Sequence, residues 1–299
     1  MKLFITGAAG YIGGSIAARL VAQGHTVRGL LRDESKASAL LACGIEPVIG
    51  SLDDAQVLAR EAREADGVIN TANADHLPSL QTMIAALEGS GKPLIHTSGS
   101  SVVGDDAHGD HLSERVFDED TPFVVAPGKQ ARHALNGTVL AAAARGVRTV
   151  VVCPTLIYGM GVGLNTHSIQ IPFLVEQARA QGVVRVVGKG LNRWSTVHID
   201  DLADLYLLAL EKAPAGAFYF AENGEASFAE IGEAIAQRLG LGPVESLPAE
   251  EAAALWGPAR AYYTYGSNSR VRAARARREL GWAPRHKSAL AWIQMEMPL

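Results

Sequence analysis

The residues best suited to chemistry stand at the start of the chain. Thr6-Gly7-Ala8-Ala9-Gly10-Tyr11-Ile12-Gly13 follows the apolar run Leu3-Phe4-Ile5 and opens into Ile16-Ala17-Ala18-Arg19-Leu20-Val21. Three glycines at this spacing let the main chain turn tightly and set amide N–H groups against a pyrophosphate. The helix end that follows adds its partial positive charge. A strand before the glycines and a helix after them is the context a dinucleotide-binding turn requires. Gly7, Ala9, Gly10, Tyr11, Ile12 and Gly13 are therefore expected at the ligand, the plain alternative being a glycine-rich turn that binds nothing.

The elements around this turn read as alternating short strands and helices. Strands are expected at 27–31, 45–49, 67–71, 93–98 and 147–152, with helices at about 54–65, 77–87 and 130–145, the last ended by Gly146. Asp53 or Asp54 is placed to cap the first of these helices. Strands joined by helices of this length make right-handed crossovers and a parallel sheet. After Pro154 the rhythm breaks. Helices are expected at 169–180, 200–210, 228–239, 249–255 and 270–280, with strands at 183–187 and 218–220. The fold expected is α/β: a Rossmann doubly wound parallel sheet with a smaller, interleaved C-terminal α/β substrate domain. Residues 1–155 with about 196–222 form the first part, and about 156–195 with 223–299 the second.

Composition narrows the partners. The 299 residues are 48% hydrophobic and 19% charged, so a sizeable core is expected. A net charge of −4 implies no broad basic face and argues against nucleic acid. No apolar run reaches the roughly 20 residues that span a bilayer. Cys43 and Cys153 lack ligand spacing, so no metal site is expected and two reduced thiols fit a cytoplasmic protein. A first strand at Lys2 leaves no room for a leader.

Five blocks in order resemble the extended short-chain dehydrogenase/reductases, the NAD-dependent epimerase/dehydratase family. They are the glycine turn, His96-Thr97-Ser98-Gly99-Ser100-Ser101-Val102-Val103-Gly104-Asp105, Cys153-Pro154-Thr155-Leu156-Ile157-Tyr158-Gly159, Val197-His198-Ile199-Asp200-Asp201-Leu202-Ala203 and Arg278-Glu279-Leu280-Gly281-Trp282-Ala283-Pro284. The resemblance implies a Tyr-x-x-x-Lys pair assisted by Ser or Thr, in which the tyrosine exchanges a proton with the substrate oxygen. Counted back from Gly146, the lysine falls on Arg132 and the tyrosine on Gly128. A slip of three puts them on Lys129 and Val125, and neither register holds a tyrosine. The hydroxyl position falls on Gly99, between Ser98 and Ser100, and a glutamate one turn beyond the lysine becomes Asn136. The chain thus resembles an atypical member.

The end of the second strand bears on the cofactor. Arg32 is placed to stack on adenine and meet a 2′-phosphate, while Asp33 lies one residue late, so NADP(H) is preferred, with NAD(H) possible. The resemblance also implies that Leu52 and Asp53 meet the adenine edge, Ala72 and Asn73 the ribose and nicotinamide side, and Pro154 and Thr155 the nicotinamide amide. Lys129 and Arg132 are expected at ribose or phosphate.

Ser98, Ser100, Tyr158 and Lys129 are the candidate catalytic residues, each with a bland alternative: a serine-rich turn, a packed tyrosine, a solvated helical turn. Asn192, Arg193 and Trp194 lie where extended relatives place substrate-binding residues, Trp194 alternatively being a packing anchor. His198, Asp200 and Asp201 are expected as structural caps and His133 as surface. Arg270 to Arg278 are expected as solvated charges around a helix. The function expected is an NAD(P)-dependent oxidoreductase or epimerase-like enzyme acting on a small carbonyl, alcohol or sugar-type molecule. The alternative is a non-catalytic NADP(H)-binding sensor or scaffold. The resemblance further implies a homodimer through the helices at 77–88 and 130–145.

Overall fold

The computed structural model describes residues 1–298. Seven strands form one wholly parallel sheet: β1 Lys2–Thr6, β2 Thr26–Leu31, β3 Ile45–Ile49, β4 Gly67–Asn70, β5 Pro93–Thr97, β6 Arg148–Pro154 and, returning late in the chain, β10 Ala217–Ala221. Their order is β3-β2-β1-β4-β5-β6-β10, reversing direction between β1 and β4. That reversal opens a crevice at the carboxyl ends of the strands. Helices between them are α1 Tyr11–Ala22, α2 Ala37–Ala42, α3 Ala55–Glu64, α4 Leu77–Leu87 and α5 Gln130–Ala141, the last running through a 3₁₀ turn to Gly146 at φ 72°.

Both faces of the sheet are covered, as alternation along β1 demands. Leu3 and Ile5 join Ile16 and Leu20 of α1, together with Leu202 and Tyr206 of α7 (Ile199–Lys212), in one core. Phe4 points to the opposite face and packs with Leu58, Leu80, Ile84, Leu135 and Val139 from α3, α4 and α5.

The remaining elements build a second core around Trp194, Phe228, Tyr265 and Trp292. They are β7 Leu156–Tyr158, α6 Gln170–Gln181, β8 Arg185–Val187, β9 Arg193–His198, β11 Glu225–Ser227, α8 Phe228–Leu239, β12 Glu245–Leu247, α9 Ala249–Trp256 and α11 Ala289–Met295, whereas α10 Ala274–Leu280 returns Ala276 and Leu280 to the first core. A π-helical turn, Ala259–Tyr265, precedes α10. Strands β11, β9 and β7 form one small sheet, and β12 pairs with β8. No helix among the described residues is long and apolar enough to cross a membrane.

Several expectations need correction. The helix expected from Arg270 begins only at Ala274; Ser269 and Val271 instead bridge in extended form to Trp194 and Phe117. Arg270 and Arg272 are not solvated helix charges: both meet Glu225. Asp54 stands at the N-cap of α3 but its carboxylate accepts the N–H of Ser51 instead of a helical amide. At α7 the cap is His198, whose Nδ1 accepts the N–H of Asp200, and both aspartates lie inside the first turn. The three-residue strands β7, β11 and β12 are too short to show an alternation of their own.

Candidate functional site

The glycine turn is built from close approaches. Gly7 sits at φ 79°, and its carbonyl accepts the N–H of Gly10 at 2.9 Å. A Cβ at Gly13 would collide with the Gly7 carbonyl oxygen and lie 2.5 Å from Thr71 Oγ1. Thr71 Oγ1 donates to the Thr6 carbonyl at 2.8 Å and ties the turn to the end of β4. No side chain caps α1, so its leading N–H groups face the crevice without a protein acceptor.

A cavity of about 530 Å³ opens over this turn, lined by Gly7, Ala9, Gly10, Arg32, Asp33, Lys36, Leu52, Asp53, Ala72, Asn73 and His76 among others. A second, of about 300 Å³, takes Tyr11, Ile12, Gly13 and Thr71 together with Ile157 and the 165–170 segment. The adenine-side and turn residues expected from the sequence thus converge. Tyr11 contributes only main chain, because its hydroxyl donates to the carbonyl of Gly159 at 2.8 Å. Arg32 is exposed and makes no hydrogen bond or ion pair among the described residues. Asp33 is turned to its own loop: it accepts the Ser35 N–H at 3.1 Å and the Ser35 hydroxyl, which holds its carboxyl below the ordinary range. A glycine cradle, free helical amides and an unpaired guanidinium fit a nicotinamide dinucleotide.

The expected catalytic residues fare differently. Ser98 Oγ accepts from Asn136 Nδ2 at 2.9 Å, and Ser100 Oγ is 2.8 Å from Ser269 Oγ with the side chain buried. Ser101, by contrast, accepts from Arg132 Nη1 at 3.3 Å. Arg132 also forks onto the Asp75 carboxylate, so its guanidinium is already paired, and a Cβ at Gly99 would lie 3.2 Å from its Nη1. Lys129 rests its ammonium 4.7 Å from the centre of the Tyr263 ring; burial, then Arg132, moves its pKa down. Pro154 and Thr155 are buried, and the Thr155 hydroxyl donates to the Ala221 carbonyl at 2.9 Å.

Tyr158 is a packing residue, correcting the expectation of a proton donor. It is fully buried, lies against His198 and Trp292, and donates its hydroxyl to the His286 carbonyl at 3.1 Å. Tyr158→Phe should cost about 1 kcal/mol of stability, the worth of one such bond, and leave turnover within about twofold of the parent. A denaturant titration and a steady-state assay check both.

Asn192, Arg193 and Trp194 also change role. Asn192 Nδ2 donates to the carbonyls of Tyr265 and Ser267 at 2.9 and 2.7 Å, and Trp194 Nε1 to Ser267 at 2.8 Å. Both side chains are buried, and Arg193 pairs with Glu230 at 3.1 Å. Rather than meeting substrate, the loop pins the segment that carries Tyr262 and Tyr263.

That segment walls the cavity the sequence did not reveal. It measures about 580 Å³ and is lined by Val103, Gly104, Phe117, the 124–127 run, His108, Arg115, Tyr262 and Tyr263 among others. Arg115 is exposed and, like that of Arg32, its guanidinium has no hydrogen bond or ion pair among the described residues. The apolar Val124-Val125-Ala126-Pro127 run ahead of α5 and the Tyr262-Tyr263 pair were the only signals. They lie too far apart in the chain for any spacing rule to join them.

A third ligand-type group, invisible in the sequence, does approach His198 and Asp200: one ligand atom each of these two and His286 lie within 4.8 Å of one another. The rings of His198 and His286 stack at 3.8 Å, and His198 Nδ1 is committed to the α7 cap. Their arrangement serves as a cap and a packing contact.

Sheet order, glycine cradle and crevice define a dinucleotide-binding Rossmann enzyme. The chain belongs to the NAD-dependent epimerase/dehydratase family, whose model matches residues 3–219; a nicotinamide dinucleotide is its cofactor. It is 34% identical over 326 residues to oxidase ucsJ of an Acremonium species, covering 95% of this chain and 92% of that one. It is 32% identical over 246 residues to a 2-alkyl-3-oxoalkanoate reductase of Stenotrophomonas maltophilia, covering 75% and 71%. Among solved structures, the dTDP-glucose 4,6-dehydratase DesIV of Streptomyces venezuelae, with NAD bound, superposes with a TM-score of 0.77 at 20% identity, over 99% of this chain and 98% of that one.

Proposed function

We propose that this protein is an NADPH-dependent reductase that turns a small, largely apolar ketone into its alcohol. The observation that carries this reading is the 580 Å³ cavity beyond the carboxyl end of β5, where Val103, Phe117 and the 124–127 run make an apolar wall beside Asp105, Asp106, His108, Ser113, Arg115, Tyr262, Tyr263, Asn268 and Arg270. Asp105 is engaged by Asn268 and Arg270 by Glu225, and the apolar wall is left to take an alkyl or aryl group of the substrate. The unpaired Arg115 suits a carboxylate on the substrate. The likeness to a protein named as a 2-alkyl-3-oxoalkanoate reductase supports the same substrate class. The bound cofactor supplies the hydride; the chain binds and orients the ketone and delivers one proton.

Preference for NADPH rests on Arg32. It faces the adenine-side cavity without a partner, while Asp33, the carboxylate that would repel a 2′-phosphate, is engaged by Ser35. Arg32→Ala should weaken NADPH binding by roughly 10- to 100-fold, the range for losing a charge-assisted contact. NADH affinity should stay within about threefold. Fluorescence titration of each nucleotide, followed by NADPH consumption against a panel of 3-oxoacids and simple ketones, tests both parts. Equal loss for the two nucleotides would refute the role of Arg32, and NADPH binding without turnover of any ketone would favour the non-catalytic alternative.

A further inference from the structure

Protonation of a ketone oxygen needs a hydroxyl or ammonium free to reach it, and most candidates on this face are engaged. Ser98 is buried and accepts from Asn136, Ser100 is buried against Ser269, Tyr158 donates to the His286 carbonyl, and Tyr206 Oη lies 2.6 Å from Thr97 Oγ1 in the core. Tyr263 is different. Its hydroxyl makes no hydrogen bond among the described residues, and its ring lines the 580 Å³ cavity.

Its position is set by three contacts. A Cβ on Gly128 would collide with the Tyr263 hydroxyl and come within 2.7 Å of its Cζ, so the phenol enters only because residue 128 has no side chain. Lys129, the next residue, lays its ammonium over the ring at 4.7 Å. The backbone behind Tyr263 is fastened by Ser267 Oγ, which donates to the Tyr263 carbonyl at 2.6 Å, and by Asn192, which grips Tyr265 and Ser267. The tyrosine sits in the π-helical turn Ala259–Tyr265, a form found frequently at functional sites. Tyr262, the other tyrosine of the wall, lies against His108 instead of the start of α5.

The geometry points to Tyr263 as the residue that hydrogen-bonds the substrate oxygen and protonates it, an assignment that rests on the reductase reading above. Residue 128 is one of the two positions, with Val125, where the resemblance implied a proton-donating tyrosine; here a phenol reaches Gly128 from the other end of the chain. In the step, a bound reduced nicotinamide would supply hydride to the carbonyl carbon as the π bond of the carbonyl breaks. The oxygen takes the proton of the Tyr263 hydroxyl, leaving a phenolate. Lys129 then passes a proton back to the phenolate and recovers its own from solvent, so charge and protons balance.

Two variants test this, with NADPH and benzoylacetate as probes. Tyr263→Phe keeps the ring and removes the hydroxyl. Gly128→Ala keeps the hydroxyl and displaces it, at a position whose backbone is not left-handed. Calorimetry on the protein with NADP⁺ should show benzoylacetate bound roughly three- to tenfold more weakly by each variant. NADPH affinity and thermal midpoint should stay close to the parent's, and turnover of Tyr263→Phe should fall by roughly 10²- to 10⁴-fold. Parent-like ketone affinity or turnover in Tyr263→Phe overturns the assignment, as does a parent protein that does not bind the ketone. Failure of the parent to bind NADPH would instead sink the reductase reading, so the two failures are distinguishable.

Discussion

Gly13→Val is expected to lower NADPH affinity by at least a hundredfold while the chain still folds. A side chain at residue 13 meets the Gly7 carbonyl and Thr71 Oγ1, and the main chain there has no slack. Relief requires the Gly7 carbonyl to move, and Gly7 is the corner that aims the turn at the pyrophosphate. Overpacking of this kind costs roughly 1–3 kcal/mol, a tolerable loss for a chain of 299 residues. The binding loss is larger in effect, because displaced amides no longer reach both phosphates; roughly a hundredfold corresponds to about 2.7 kcal/mol. Fluorescence titration measures the affinity, and circular dichroism with a melting curve checks the fold. A dissociation constant within threefold of the parent's would mean that the dinucleotide does not lie on this turn.

Asp201→Ala should give the opposite pattern: a large loss of stability with little change in nucleotide affinity at low temperature. Asp201 is almost fully buried in the first turn of α7. Its two carboxylate oxygens accept the N–H groups of Arg285 and His286 at 3.0 and 2.9 Å, and its own carbonyl accepts Trp282 Nε1 at 2.8 Å. One residue thus clasps the 282–286 segment to a helix of the Rossmann layer. Truncation strands two N–H donors and should cost about 3 kcal/mol. For a chain of this size that is a fall in Tm of about 5 °C. Asp201→Asn, which keeps one acceptor oxygen, should fall between. A melting shift under about 2 °C for the alanine variant would show that the clasp is not needed.

These two residues mark what could be read in advance. Gly13 belongs to a local pattern: strand, turn and helix follow one another in the chain, so spacing alone locates the cradle and the strands that support it. The same holds for Gly146 at the end of the α5 run and for Arg32 one residue past β2. Asp201 was seen as a helix-end residue, which it is, but its partners lie more than 80 positions away. No periodicity reports such a contact.

The substrate side illustrates the limit more sharply. Asn192, Arg193 and Trp194 have the residue types of a binding loop, and only burial shows that they hold other main chain instead. Gly128 reads in sequence as an empty place in a pattern; in space it is filled by Tyr263.

The sequence by itself determined the parallel sheet, the glycine cradle and the cofactor edge, because each depends on residues within a few turns of one another. The tertiary structure alone decided which hydroxyls are engaged, which guanidinium groups are free and what walls the 580 Å³ cavity. Those properties come from segments 38 to 169 residues apart in the chain, where burial and hydrogen-bond competition, not spacing, choose the partner.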